Sequence, residues 1–80
     1  MNFPTIEGCY EAKERLNNVS VNTPFQFLDR ISKNFNAEIY TKREDLQLVR
    51  SFKIRGAFNK IVALSEQELN RGIVCASGGN

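Results

Sequence analysis

The sequence predicts an α/β fold, and three observations carry that expectation. Residues 37–42, "AEIYTK", alternate in polarity and contain Ile, Tyr and Thr, as strands do. Residues 73–77, "IVCAS", form a short continuous apolar run closed by a small polar residue, the pattern of a buried parallel strand. A long helical stretch separates the two. A strand–helix–strand unit with so long a crossover pairs its strands in parallel.

In chain order, Thr5 is a suitable N-cap for a first helix running to about Leu16, with Cys9, Ala12 and Leu16 on one face. The "NNVSVN" stretch breaks that pattern. A second helix is expected from Thr23, because Pro24 suits a first helical position and Gln26 completes a capping box. Leu28, Ile31 and Phe35 supply its apolar stripe, and "NFN" closes it. After the strand at 37–42, "REDLQLVR" reads as a charged loop. Ser51 can cap a third helix to about Leu64, with Ile54, Ala57, Phe58, Ile61 and Leu64 as its apolar face. Ser65 and Glu68 make another capping box for a short helix through about Asn70, and Arg71-Gly72 turns the chain into the run at 73–77. Two strands alone cannot form a parallel sheet covered on both faces. The terminal Gly78-Gly79-Asn80 reads as the start of a strand-to-helix turn. The expectation is therefore a fragment of a larger domain.

Composition narrows the function classes. The 80 residues carry a net charge of +2, which is too small for the strongly basic face of a nucleic-acid binder. There is no histidine, the commonest metal ligand and general base. Cys9 and Cys75 lie far apart and form no ligand-spaced cluster. They read as small buried apolar side chains, with one disulfide as the alternative. No signal peptide, transit peptide or membrane-spanning run is expected, so the chain reads as a cytoplasmic protein with no membrane partner.

Two stretches carry candidate chemistry. "RSFKIRGAFNKI", residues 50–61, sets Lys53 in the opening turn of the third helix, close to Arg50 and Arg55. The positive end of the helix dipole, neighbouring cations and partial burial all favour a neutral amine, whereas Glu44 and Asp45 would oppose them. A neutral amine attacks carbonyl groups, and Gly56 presents no side chain beside it, leaving room for a flat group. The plain alternative is a solvated lysine at a helix edge. The second stretch, "ASGGN", exposes several backbone N–H groups able to hold a carboxylate or phosphate, with the Asn80 amide at the same corner. The alternative here is an ordinary tight turn.

Together, "KREDLQLVRSFKIRGAFNKI" and the later "ASGGN" resemble the start of threonine ammonia-lyases (threonine dehydratases), members of the fold type II pyridoxal-phosphate enzymes. "NTPFQFLDRISKNFNAEIYTKRED" and the "EAKERLNNVSVNTP" ahead of it fit the same family, so the resemblance covers nearly the whole chain. It implies that Lys53 binds pyridoxal 5'-phosphate covalently and returns as the base for the substrate α-proton. Ser51 and Phe52 match the residues that set the start and packing of that helix. Asn80 matches the residue that hydrogen-bonds the cofactor's ring hydroxyl. Ser77, Gly78 and Gly79 match the turn receiving the substrate carboxylate, with Gly78 standing where alanine is common.

The resemblance further implies deamination of L-threonine to 2-oxobutanoate and ammonia in isoleucine biosynthesis, within a two-domain, parallel-sheet body that is a homo-oligomer at full length. Residues 1–72 would belong to the large cofactor-binding domain and 73–80 would open the small domain. The glycine-rich phosphate loop and the residue facing the pyridine nitrogen are expected beyond Asn80. Related alternatives are serine racemase, a catabolic dehydratase acting on L-serine or L-threonine, and a non-catalytic remnant whose apolar helix faces form a docking surface.

Overall fold

The computed structural model describes residues 2–78. Helix α1 spans Ile6–Arg15, strand β1 Phe25–Phe27, helix α2 Asp29–Phe35 and strand β2 Tyr40–Lys42. Two short 3-10 turns at Glu44–Leu46 and Leu48–Arg50 lead into α3, Lys53–Val62, followed by α4, Glu66–Asn70.

Local chemistry accounts for most of these boundaries. Thr5 caps α1, its hydroxyl accepting the Gly8 N–H at 3.0 Å, with Glu7 in the first turn and Lys13 and Arg15 in the last. Ser65 and Glu68 form the expected reciprocal box on α4, at 3.1 Å and 2.9 Å. Asn36 closes α2 in the left-handed conformation. Gly72, at φ +86°, takes a left-handed turn after α4 that any side chain would strain.

The chain departs from the sequence expectation at Thr23. No helix begins there. Residues 25–27 are instead a strand, and α2 starts only at Asp29, with Leu28 in an unassisted cap position. A residue before proline prefers extended backbone, which suits a strand start as well as a helix cap. Phe25 and Phe27 decide between the two by sharing one face with Tyr40: the Phe25 and Tyr40 rings stack at 5.2 Å, and Phe27 meets Tyr40 edge-on at 5.3 Å.

The pairing of β1 with β2 is antiparallel, in the register Phe25–Lys42, Gln26–Thr41 and Phe27–Tyr40. Backbone bonds extend it at both ends, from Leu28 N–H to Ile39 O at 2.8 Å and from Arg43 N–H to Pro24 O at 2.9 Å. The strand expected at 37–42 is thus shortened to Tyr40–Lys42. The run at 73–77 forms no strand. It is exposed, with Val74 at 97%. An apolar run becomes a strand only when a neighbouring strand accepts its backbone bonds, and the two strands among the described residues pair with each other.

Helices α1 and α3 are in contact, tied by Arg15 to Asn59 at 3.2 Å. Leu16, 8% exposed, is the only buried apolar side chain among the described residues. Within the stripe expected on α3, Ile54, Phe58 and Leu64 are half-buried, whereas Ala57 and Ile61 remain exposed. Cys9 and Cys75 are both exposed and free, contrary to the expectation of buried side chains. Among the described residues no helix is long and apolar enough to cross a membrane.

The accessible surface is 7199 Å², against about 4,900 Å² for a compact monomer of this mass. The radius of gyration is 16.5 Å, against about 12 Å for a compact chain of this length. With so little apolar burial, the isolated 80-residue chain is expected to bind a hydrophobic dye and to melt without a sharp transition by circular dichroism. A cooperative melt from a compact monomer would contradict this.

Candidate functional site

Lys53 is the first residue of α3 and is exposed. The partial burial expected of it is absent among the described residues. Its ammonium makes no hydrogen bond or ion pair there. The helix cap lies at Phe52 rather than Ser51, and it uses no side chain. The Ser51 hydroxyl accepts the Lys53 N–H only at a long 3.4 Å. Gly56 follows Lys53 by three positions and so shares its face of the helix. A Cβ added at Gly56 would meet nothing within 4 Å. This face therefore has room for a flat group beside the amine, and a planar aldehyde-bearing cofactor fits it chemically.

The chain reaches Lys53 through strained backbone. Val49 and Arg50 adopt left-handed conformations, at φ 58° and 61°. For β-branched Val49 this is a true outlier, and each such residue costs on the order of 1–3 kcal/mol. Ser51 then returns to extended backbone, and α3 begins two residues later.

The neighbouring cations are committed elsewhere. The Arg55 guanidinium donates to both Glu44 oxygens, Nη2 to Oε1 at 2.8 Å and Nε to Oε2 at 3.1 Å. It also reaches the Val21 carbonyl at 3.2 Å and Ser20 Oγ at 3.5 Å. Lys42 donates to the Thr23 carbonyl and to Asn22 Oδ1. Arg43 chelates Asp45 through two 2.8 Å bonds and reaches Gln26. The acids at 44 and 45 thus neutralise Arg55 and Arg43.

Glu44 is the centre of this network. Its Oε1 also accepts the Thr23 hydroxyl at 2.9 Å, and its Oε2 accepts Gln47 Nε2 at 3.2 Å. The hydrogen bonds from Arg55 hold its carboxyl down to about 2. Burial opposes this, and Gln47 and Thr23 add to the lowering. Gln47 is 2% exposed and closes the network by pairing with the Val21 backbone, accepting its N–H at 2.7 Å and donating to its carbonyl at 2.9 Å. Sequence reasoning missed this hub. The one available signal was a glutamine set between Leu46 and Leu48, a polar residue flanked by apolar ones.

The second candidate stretch stands apart from α3 in the chain. Ser77 and Gly78 lie in the exposed segment beyond α4, and a Cβ at Gly78 would meet nothing within 4 Å. Gly79 and Asn80 lie outside the described residues. A cleft of about 410 Å³ between α1 and the 17–22 segment is lined by polar groups that include Lys13, Asn17 and Arg55, but not by Lys53, Ser77 or Gly78.

Residues 17–80 match the pyridoxal-phosphate dependent enzyme family, and the chain belongs to that family. Its relatives sharpen the placement. It is 56% identical over 70 residues to a biosynthetic L-threonine dehydratase of Staphylococcus epidermidis, covering 88% of this chain and 17% of that protein. It is 49% identical over 75 residues to the Bacillus subtilis protein of the same name, covering 94% and 18%, and 52% identical over 69 residues to that of Mycobacterium tuberculosis, covering 86% and 16%. The chain thus spans under a fifth of the length of these curated relatives. No solved structure gives a significant match.

Two outcomes test the hub. Glu44 titrates at about 2 in the folded state against an ordinary 4.5, so its contribution is complete above the ordinary value and is lost as pH falls towards 2. Carboxyl-carbon NMR following Glu44 through acid checks this, and a midpoint near the ordinary value would refute it. Gln47→Ala leaves the Val21 N–H without its partner and the Val21 carbonyl with only Arg55. It should cost about 1–3 kcal/mol in denaturant unfolding of the full-length protein.

Proposed function

We propose that this chain supplies the lysine-bearing part of a pyridoxal-phosphate dependent lyase that deaminates L-threonine to 2-oxobutanoate and ammonia, in the biosynthesis of branched-chain amino acids. The observation that carries the reading is the "SFKIRGA" run. It opens α3 with an unpartnered lysine beside an open glycine face, in a chain 49–56% identical to proteins named for this reaction.

In this reading Lys53 Nζ holds the cofactor and moves the proton at the substrate α-carbon. When bound, pyridoxal phosphate supplies an electron sink for the negative charge that develops there. Backbone N–H groups of Ser77, Gly78 and Gly79 orient the substrate carboxylate, and the Asn80 side chain contacts the cofactor ring hydroxyl. The nearby Lys42 amine is engaged by the Thr23 carbonyl and Asn22, whereas Lys53 Nζ lies at the open glycine face. L-Serine, with the same β-hydroxyl, is the natural second substrate.

Residues 1–72 fall in the large domain and 73–80 open the small one. The body is two-domain, built on a parallel sheet, homo-oligomeric and cytoplasmic. In this reading the exposed run at 73–77 becomes a strand within that sheet. The exposed apolar surface supports this placement, since such a surface calls for covering.

The test incubates the full-length protein with pyridoxal phosphate, reduces it with borohydride and maps the adduct by mass spectrometry. The adduct is expected on the Lys53 peptide, and Lys53→Ala should lose it together with 2-oxobutanoate release from L-threonine. An undiminished adduct in Lys53→Ala would sink the assignment.

A further inference from the structure

We infer that the Arg55–Glu44 pair is a positioning device that sets the direction of Lys53, an inference that rests on Lys53 being the cofactor-binding lysine proposed above. Arg55 follows Lys53 by two positions, which places it about 200° around the helix. Whatever holds Arg55 on one side of α3 therefore aims Lys53 to the other, the side it shares with Gly56.

The hold on Arg55 is unusually complete. Its fork spans both oxygens of Glu44, and its remaining donors reach Val21 O and Ser20 Oγ. Glu44 is itself held by Thr23 and Gln47, and Gln47 by the Val21 backbone. Segments far apart in sequence thus meet at the first turn of α3. The helix start has little else to fix it: its cap uses no side chain, and the chain enters through left-handed Val49 and Arg50. Lysine at 55 would keep the charge but could not span two oxygens as the planar fork does.

The experiment uses the full-length protein in wild-type, Arg55→Lys and Glu44→Gln forms. It follows the rate at which pyridoxal phosphate added to the cofactor-free protein becomes borohydride-fixed on the Lys53 peptide, beside kcat and KM for L-threonine. Arg55→Lys is expected to slow fixation and kcat by about 10- to 100-fold with KM nearly unchanged, the effect of a small misplacement of a reacting group. Glu44→Gln keeps one acceptor but turns the other oxygen into a donor facing Arg55, and should show the same change more weakly. It also carries the test if Arg55→Lys fails to fold. A purely structural role would lower the folded fraction while the folded molecules react at the wild-type rate. Wild-type fixation rates on Lys53 in the folded variants would overturn the inference and leave the proposed function standing. Absence of fixation on Lys53 in the wild type would overturn both.

Discussion

A single carboxylate organises the described structure. Glu44 has two oxygens, and donors from Arg55, Thr23 and Gln47 fill them. The side chain is only 16% exposed, so the charge sits largely out of water. A charge in that position is tolerated only when paired and hydrogen-bonded. All three partners must therefore be in place together, and no buried side-chain polar atom among the described residues is left without one. The requirement fixes where the 20–23 segment, the first 3-10 turn and α3 sit relative to one another.

The strand pair makes that meeting possible. The backbone bond from Arg43 N–H to Pro24 O continues the β1–β2 ladder by one rung. It brings Thr23, one residue before Pro24, beside Glu44, one residue after Arg43. Sheet register thus determines which hydroxyl meets which carboxylate. The carboxylate then captures Arg55, and Arg55 orients the helix that begins with Lys53. The order runs from backbone pairing to polar network to helix orientation, and only the last step concerns Lys53.

Features written in adjacent residues were legible in the sequence. The Thr5 cap, the Ser65–Glu68 box and the Asn36 closure each depend on side chains within a few positions of the backbone they serve. So was the family, because the wording around Lys53 is dense and specific. Other features depended on distant partners. Thr23 carries every local mark of a helix cap, yet its hydroxyl serves a carboxylate 21 positions away, and the aromatic residues after it pair with Tyr40. The antiparallel sense of the sheet, the lack of a strand at 73–77 among the described residues and the exposure of both cysteines likewise turn on what lies alongside. Gln47 looked like a loop residue because its partners, the backbone groups of Val21, leave no trace in side-chain type.

The scarcity of buried apolar side chains, with Leu16 alone among the described residues, has a thermodynamic consequence. Heat-capacity change on unfolding comes mainly from apolar surface newly exposed to water, and exposed polar groups reduce it. Order that rests on a carboxylate, a guanidinium and a buried amide carries little such increment. Its stability therefore varies gently with temperature, without the steep dome or the cold-side decline of a well-filled core. That curvature arrives only when the phenylalanine, isoleucine and valine faces left open here are covered.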